Sequence, residues 1–322
     1  MKFSVVTPLW QDKPASDNIE VALAADKLGY DNLWIGEMAT FDAFAFATAV
    51  GLQTTNLSLT IGPLAVSVRT PMTMAMGAAS VAELTGKRVG LAIGASSVVV
   101  VQEWHGRERK RTAKHLAETA QILKPLLAGE KAAFVGDLAS CKGYRLRLDA
   151  PHCPLSIAAF GPAAVKAAGR YADQMLLNMV TPPSLANLKA QLADSAKAAG
   201  RTTPKLAVWL PAAVSPNRES IDQLKRGIVG YLAAPGYGEM MMEAGFGELV
   251  NFARTRPHPK DLLAAMPDEL IQAIGLVGTP EEIQARVDAY AAAGADEICL
   301  VPATAGDPSG ANTLAALRRA PR

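Results

Sequence analysis

Residues 61–97, IGPLAVSVRTPMTMAMGAASVAELTGKRVGLAIGASS, hold two strand-to-helix junctions in close succession. Leu57–Ile61 reads as a buried strand running into Gly62-Pro63. Arg69-Thr70-Pro71 opens a helix, and Val89–Ile93 is a second strand that ends in Gly94-Ala95-Ser96-Ser97. Two nearly continuous apolar strands joined through a helix make a parallel βαβ unit covered on both faces. Glycine and small polar residues at both strand ends suit a cofactor pocket.

The same rhythm extends in both directions. Strands are predicted at Lys2–Val6, Asn32–Ile35, Leu57–Ile61, Val89–Ile93, Leu155–Ala158, Gln174–Leu177, Leu206–Val214 and Glu297–Val301, with alanine-rich helices between them. Eight such units predict a (β/α)8 TIM barrel in the α/β class. Asp17 with Glu20 reads as a capping box, while Thr70-Pro71 and Thr279-Pro280 place a hydroxyl cap before a proline at the first helical position. Gly29 and Gly294 are each placed to end a helix in the left-handed conformation. Residues 1–322 read as a single domain with insertions near 129–152 and 216–267. The first insertion carries a predicted hairpin from Phe134–Asp137 and Tyr144–Leu148. The second mixes helical pieces with glycine hinges, as in a lid or a dimer contact.

Half of the 322 residues are hydrophobic, 19% are charged, and the net charge is +2, too small for general attraction to nucleic acid or membranes. Cys141, Cys153 and Cys299 form neither a CxxC pair nor an even framework, which fits a reducing, cytoplasmic setting. Met1-Lys2 leads directly into the first strand, so no signal peptide is expected, and no apolar run reaches the roughly 20 residues of a membrane span. The partners expected are a small-molecule substrate and a second copy of the chain in a homodimer.

In a barrel of this kind the chemistry sits at the carboxyl ends of the strands. Those loops hold Thr7–Trp10, Gly36-Glu37-Met38, Gly62–Arg69, Gly94–Ser97, Ala159-Phe160-Gly161-Pro162 and Asn178–Thr181. Glu37 is the carboxylate among them. The helix after Gly161 can hold a phosphate on its first amides. His105, His115, His152 and His258 form no HxH or HExxH pattern, so no metal is expected. An apolar, amide-rich mouth suits a flat heterocycle bearing a phosphate.

Thr60-Ile61-Gly62-Pro63, Arg69-Thr70-Pro71 and Ala82–Gly94 resemble the third and fourth units of the bacterial luciferase-like flavin and deazaflavin oxidoreductases. The resemblance extends to Trp34-Ile35-Gly36-Glu37, Phe160-Gly161-Pro162, Val277–Glu282 and Ala293–Glu297, and is greatest to the branch that uses the deazaflavin coenzyme F-420. It implies that Gly62, Pro63, Leu64 and Ala65 form a bulged strand end against the ring, with a non-prolyl cis peptide placed by position at Leu64–Ala65. It also implies that Gly94, Ala95, Ser96, Ser97, Ala159, Phe160, Gly161 and Pro162 line the ribityl and phosphate path.

Hydride chemistry asks the protein for a proton. Glu37 is the first candidate, although bonds to neighbouring amides or an arginine give it a purely structural role. Met38 stands where relatives often carry a histidine, and Ser97 where sugar-phosphate dehydrogenases of the family place a glutamate, so their substrate is not carried over. His105 is the second candidate, against a structural loop contact. The basic group Arg107, Arg109, Lys110 and Arg111 either meets the acidic coenzyme tail or is a solvated helix entrance. Met72, Met74 and Met76 read as core filling. Three functions follow: hydride transfer between coenzyme F-420 and a small organic substrate; FMN-dependent monooxygenation; and a ligand-binding barrel without catalysis.

Overall fold

Each strand carries two sets of side chains, and closing the sheet sends one set inward and the other towards the helices. The computed structural model describes residues 1–318 apart from Gln11. Its strands are β1 (Lys2–Val6), β2 (Asn32–Ile35), β3 (Ser58–Ala65) and β4 (Val89–Gly94), then the hairpin β5 (Ala132–Val135) and β6 (Ser140–Tyr144). They continue with β7 (Leu155–Ala158), β8 (Gln174–Asn178), β9 (Lys205–Val214), β10 (Leu276–Gly278) and β11 (Glu297–Pro302). The parallel order β1-β2-β3-β4-β7-β8-β9-β11 returns to β1, which closes an eight-stranded TIM barrel.

The period of two decides which residues face which way. Val5, Leu33, Leu59, Leu91, Ile157 and Leu206 pack outward against the helices. Val6, Trp34, Ala92, Leu176, Ala207 and Cys299 fill the cylinder. At its amino-terminal end the Glu297 carboxylate accepts from Ser4 Oγ (2.5 Å), Trp34 Nε1 (3.1 Å) and Gln174 Nε2 (2.7 Å). One buried acid thus ties β11 to β1, β2 and β8.

The helix starts follow local chemistry. Thr70 Oγ1 accepts from the Thr73 amide before helix Pro71–Thr85, and Thr279 with Glu282 makes a full capping box before helix Pro280–Ala293. Gly29 and Gly294 take φ of 76° and 99°, as their helix ends require. The capping box expected at Asp17 is absent. Ser16 is the cap residue without a side-chain bond, and Asp17 and Glu20 lie inside the first turn, where they face the positive helix end.

β10 is an additional strand that the sequence reading did not assign. Ala212 of β9 pairs with Pro302 of β11 on one edge and with Leu276 of β10 on the other. β10 therefore occupies the edge that β8 takes lower down, at Lys205–Trp209. Three residues are too short for a periodic signal. The first insertion does contain a hairpin, but its second strand is Ser140–Tyr144, not the run beginning at Tyr144. Buried Glu118 fixes it from helix Thr112–Leu127 by accepting the amides of Asp137 (3.2 Å), Leu138 (2.7 Å) and Ala139 (2.9 Å). The second insertion folds into short helices over a separate apolar cluster that includes Leu232, Met241, Val250 and Ile271. Among the described residues, no helix is long and apolar enough to cross a membrane.

Candidate active site at the barrel mouth

The site begins at a break in the strand period. Ile61 of β3 pairs with Leu91, and the next outward pair is Leu64 with Ile93, so three steps on β3 match two on β4. The extra residue is the bulge expected from Gly62 onward. Ile61 and Leu64 are both fully buried in the outer core. Pro63 and Ala65 are partly open and take the inward phase. The Leu64 side chain is thus in the outer core, and contact with a ligand falls to its backbone. Gly62 has φ 116°, and a Cβ there would stand 2.2 Å from the Ala92 carbonyl oxygen, so only glycine fits.

The cis peptide lies at Gly62–Pro63, not at Leu64–Ala65. An X-Pro amide has a much smaller preference for trans than other peptides, and this strand end carries its proline at the turn itself.

From Pro63 the inward positions run round the mouth. A Cβ on Gly94 would sit 3.2 Å from Pro63 Cβ and 3.6 Å from Ala158 Cβ, which brings the ends of β3, β4 and β7 together. Asn178 at the end of β8 is the register partner of Trp209 on β9. The Trp209 ring meets Trp34 edge-on at 5.8 Å, and Gly36 at the end of β2 lies against Trp209 and Leu9. The Trp209 Nε1 is buried and has no hydrogen-bond partner among the described residues. The inward face from Pro63 through Gly94, Ala158, Asn178 and Trp209 to Gly36 carries no ionisable group.

The second insertion covers one side of this ring. Phe160 packs on Tyr237 with centroids 4.8 Å apart, and Tyr237 on Tyr231 at 5.0 Å. A Cβ on Gly236 would come within 2.7 Å of the Phe160 ring, so the insertion closes on Phe160 through a glycine. Burial pushes both hydroxyls above the ordinary tyrosine value, and Asn178 opposes this only in part. Both phenols stay protonated at neutral pH.

Gly161 and Pro162 are exposed at the start of helix Pro162–Tyr171, and a Cβ on Gly161 would meet nothing within 4 Å. Pro162 has no amide N–H, and the Ala164 and Val165 amides bond the Gly161 carbonyl at 2.9 and 3.0 Å, which leaves the Ala163 amide of that first turn for a phosphate. Ala159 is buried beside it. On the β4 loop, Ala95 is partly buried, while Ser96 and Ser97 are exposed. Ser96 adopts φ 55°, its carbonyl accepts from Arg109 Nε at 3.0 Å, and Ser97 Oγ accepts the Val100 amide at 3.1 Å. These bonds shape the loop that carries them.

The two candidate proton donors stand differently. Glu37 receives Arg69 Nη2 at 2.5 Å and the Ala43 amide at 3.1 Å on one oxygen, and Arg69 Nε at 2.9 Å on the other. Arg69 also pairs with Asp42 and lies over the Phe44 ring. Burial raises the Asp42 carboxyl, but its bonds to Ala45, Arg69 and Phe44 outweigh that and hold it below the usual range. Glu37 as folded is a brace between the β2 and β3 loops. His105 is exposed and closes the turn Val99–Trp104 through a backbone bond to Val100. Of the basic group, Arg111 binds Asp137 together with the neighbouring Lys114, Lys110 pairs with Glu108, and Arg109 holds Ser96. Met74 is buried as expected of core filling, whereas Met76 is 48% exposed. Among the described residues, no group of three His, Cys, Asp or Glu gathers as a metal site.

Tyr231, Tyr237 and Trp209 were not among the sequence candidates. Tyr237 sits in a Pro-Gly-Tyr-Gly turn, and that turn is the signal that points to it; Trp209 lies within a strand read as core.

Comparison with known proteins places this geometry. The luciferase-like monooxygenase family model matches residues 1–297. The 5,10-methylenetetrahydromethanopterin reductase of Methanolobus tindarius is 24% identical over 306 residues, covering 92% of each chain. The 4-hydroxyprotoasukamycin monooxygenase of Streptomyces nodosus subsp. asukaensis is 30% identical over 244 residues, 69% of this chain and 64% of that one. The structure of the coenzyme F-420-dependent tetrahydromethanopterin reductase from Methanopyrus kandleri superposes with a TM-score of 0.82 at 16% identity, over 98% of both chains. The chain belongs to the luciferase-like monooxygenase family, whose members among these relatives are oxidoreductases and monooxygenases.

Proposed function

We propose that this protein is a deazaflavin-dependent oxidoreductase that moves a hydride between coenzyme F-420 and a small organic compound. The observation that carries the reading is the uncharged ring from Pro63 through Gly94, Ala158, Asn178 and Trp209 to Gly36. A flat heterocycle can lie on such a floor because no charge has to be stripped of water beneath it. Pro63, Ala65 and Gly94 would carry the ring, and the Ala163 amide with the positive helix start after Gly161 its phosphate. When bound in reduced form, the deazaflavin supplies the hydride. The protein's share is to seat the ring, to cover it with Phe160 and Tyr237, and to keep water from the reacting face. The reductases among the relatives support this assignment.

The second reading, an FMN-dependent monooxygenase, draws on the family's own description and the Streptomyces relative. The two cofactors differ in one ring position: carbon in the deazaflavin, a nitrogen in the flavin that lets reduced FMN react readily with oxygen. Titration of the purified chain with each cofactor, followed by oxygen consumption on adding reduced FMN, separates them. Tight uptake of coenzyme F-420 without oxygen consumption is expected. Oxygen uptake that depends on the protein and reduced FMN overturns the proposal.

A further inference from the structure

We propose that the cavity between the start of helix Pro182–Ala198 and the second insertion is a binding subsite for a protonated amine, with the Glu243 carboxylate as its counter-ion. The cavity is open to solvent, holds about 260 Å³, and is lined on one wall by Thr181, Pro183, Ser184 and Asn187 and on the other by Met240 and Glu243. That volume lies below the range of pockets that enclose a whole drug-sized ligand, so the cavity suits one end of a molecule. It adjoins the mouth without sharing its floor. Thr181 closes the loop after β8, and Tyr237, which covers Phe160, lies three residues before Met240 on helix Tyr237–Met241. None of the lining residues belongs to the ring that seats the coenzyme. The inference goes beyond the function proposed above and does not depend on the identity of the coenzyme.

A helix start ordinarily draws an anion, but this one has spent its donors. Pro182 and Pro183 carry no N–H, the Ser184 amide donates to Thr181 Oγ1 at 3.4 Å, and the Leu185 amide to the Thr181 carbonyl at 2.9 Å. The cations on either wall are engaged elsewhere, Lys189 with the Gly294 carbonyl and Asp296, and Arg254 with Glu239. Glu243 is the one charged side chain lining the cavity, and among the described residues it has no ion-pair partner. Ser184 Oγ accepts from Thr181 Oγ1 at 3.0 Å and Asn187 Oδ1 from Gln191 Nε2 at 3.3 Å, and each oxygen keeps a second lone pair. With Glu243 they supply acceptors for the three N–H bonds of an ammonium group, while Met240 and Pro183 offer apolar surface to the chain that carries it. A carboxylate or phosphate would meet Glu243 with neither a cation nor a free amide to offset the repulsion.

Nuclear magnetic resonance of the full chain, isotope-labelled at the methionine methyls and titrated with butylammonium, butanol or butyrate, tests the assignment; Met240→Leu identifies the Met240 signal. Butylammonium is expected to shift that signal saturably, butanol to bind more weakly, and butyrate to leave it unmoved. Glu243 is exposed, so Glu243→Gln removes the charge without disturbing the core. That variant is expected to weaken amine binding about 3- to 5-fold and to abolish its dependence on salt, whereas Glu243→Asp keeps the dependence. Four results overturn the proposal: no saturable shift with butylammonium, butyrate bound as tightly as the amine, unchanged amine affinity in Glu243→Gln, or displacement of butylammonium by coenzyme F-420, which would make the cavity part of the coenzyme's path. Failure of wild type to bind coenzyme F-420 counts against the proposed function alone, because the amine titration is read without it.

Discussion

Gly62 shows how much one residue settles. Its φ of 116° and the 2.2 Å that a Cβ would leave to the Ala92 carbonyl make Gly62→Ala a backbone clash at the β3–β4 seam. We expect a loss of about 3 kcal/mol or more, read as a lowered denaturation midpoint, with coenzyme binding lost in whatever folds. Glu37 makes a different prediction. As the partner of Arg69 and the Ala43 amide it braces two loops, so Glu37→Gln should cost about 1–2 kcal/mol in urea unfolding and leave the shape of the pH–rate profile unchanged. Disappearance of one limb of that profile would restore Glu37 as the proton donor. Gly62, Gly94 and Gly161 were legible in the sequence because glycine at a strand end has few other uses. The inward turn of Pro63 and Ala65 was not, since a bulge resets a period of two and nothing local announces by how much.

At the level of elements, the hairpin β5–β6 hangs on one carboxylate. Burial pushes the Glu118 carboxyl up, but three backbone amides and Lys114 outweigh it and hold it below the usual range. A lowered folded value means stability that is fully present above the unfolded value of about 4.3 and is lost as pH falls through the folded one. Wild type should therefore lose more stability between about pH 5 and pH 3 than Glu118→Gln does. At pH 7 that variant should be weaker by about 2–3 kcal/mol, with amide exchange fastest at Asp137–Ala139. Equal acid slopes for the two proteins would remove Glu118 from this role. The hairpin was foreseen, yet its second strand began four residues earlier than the run at Tyr144, because Ser140-Cys141-Lys142 lacks strong strand formers and is held by pairing with Ala133–Val135. The glycines of the second insertion read in sequence as hinges of a lid or of a dimer contact. Its tyrosines took on meaning only beside Phe160 and Asn178, which lie more than fifty residues away in sequence.

For the whole molecule, the barrel was legible because each of its eight strands is a nearly continuous apolar run, whereas three-residue β10 is defined only by its pairing with β9. Closure is reinforced inside by Glu297, which gathers donors from β1, β2 and β8. Replacing it with alanine leaves three buried donors without an acceptor and should cost about 3–5 kcal/mol in a single cooperative transition. Glu297→Gln, which keeps one acceptor, should cost less, and the reverse order would mean that the cluster does not hold the cylinder shut. The wider claim is that this cylinder offers an uncharged seat to a deazaflavin. Its most direct test is the absorption spectrum of the chain purified from a host that makes both coenzyme F-420 and FMN. A retained deazaflavin chromophore is expected in wild type and absent from Gly62→Ala, whereas retention of FMN in its place, or of neither cofactor, would refute the assignment.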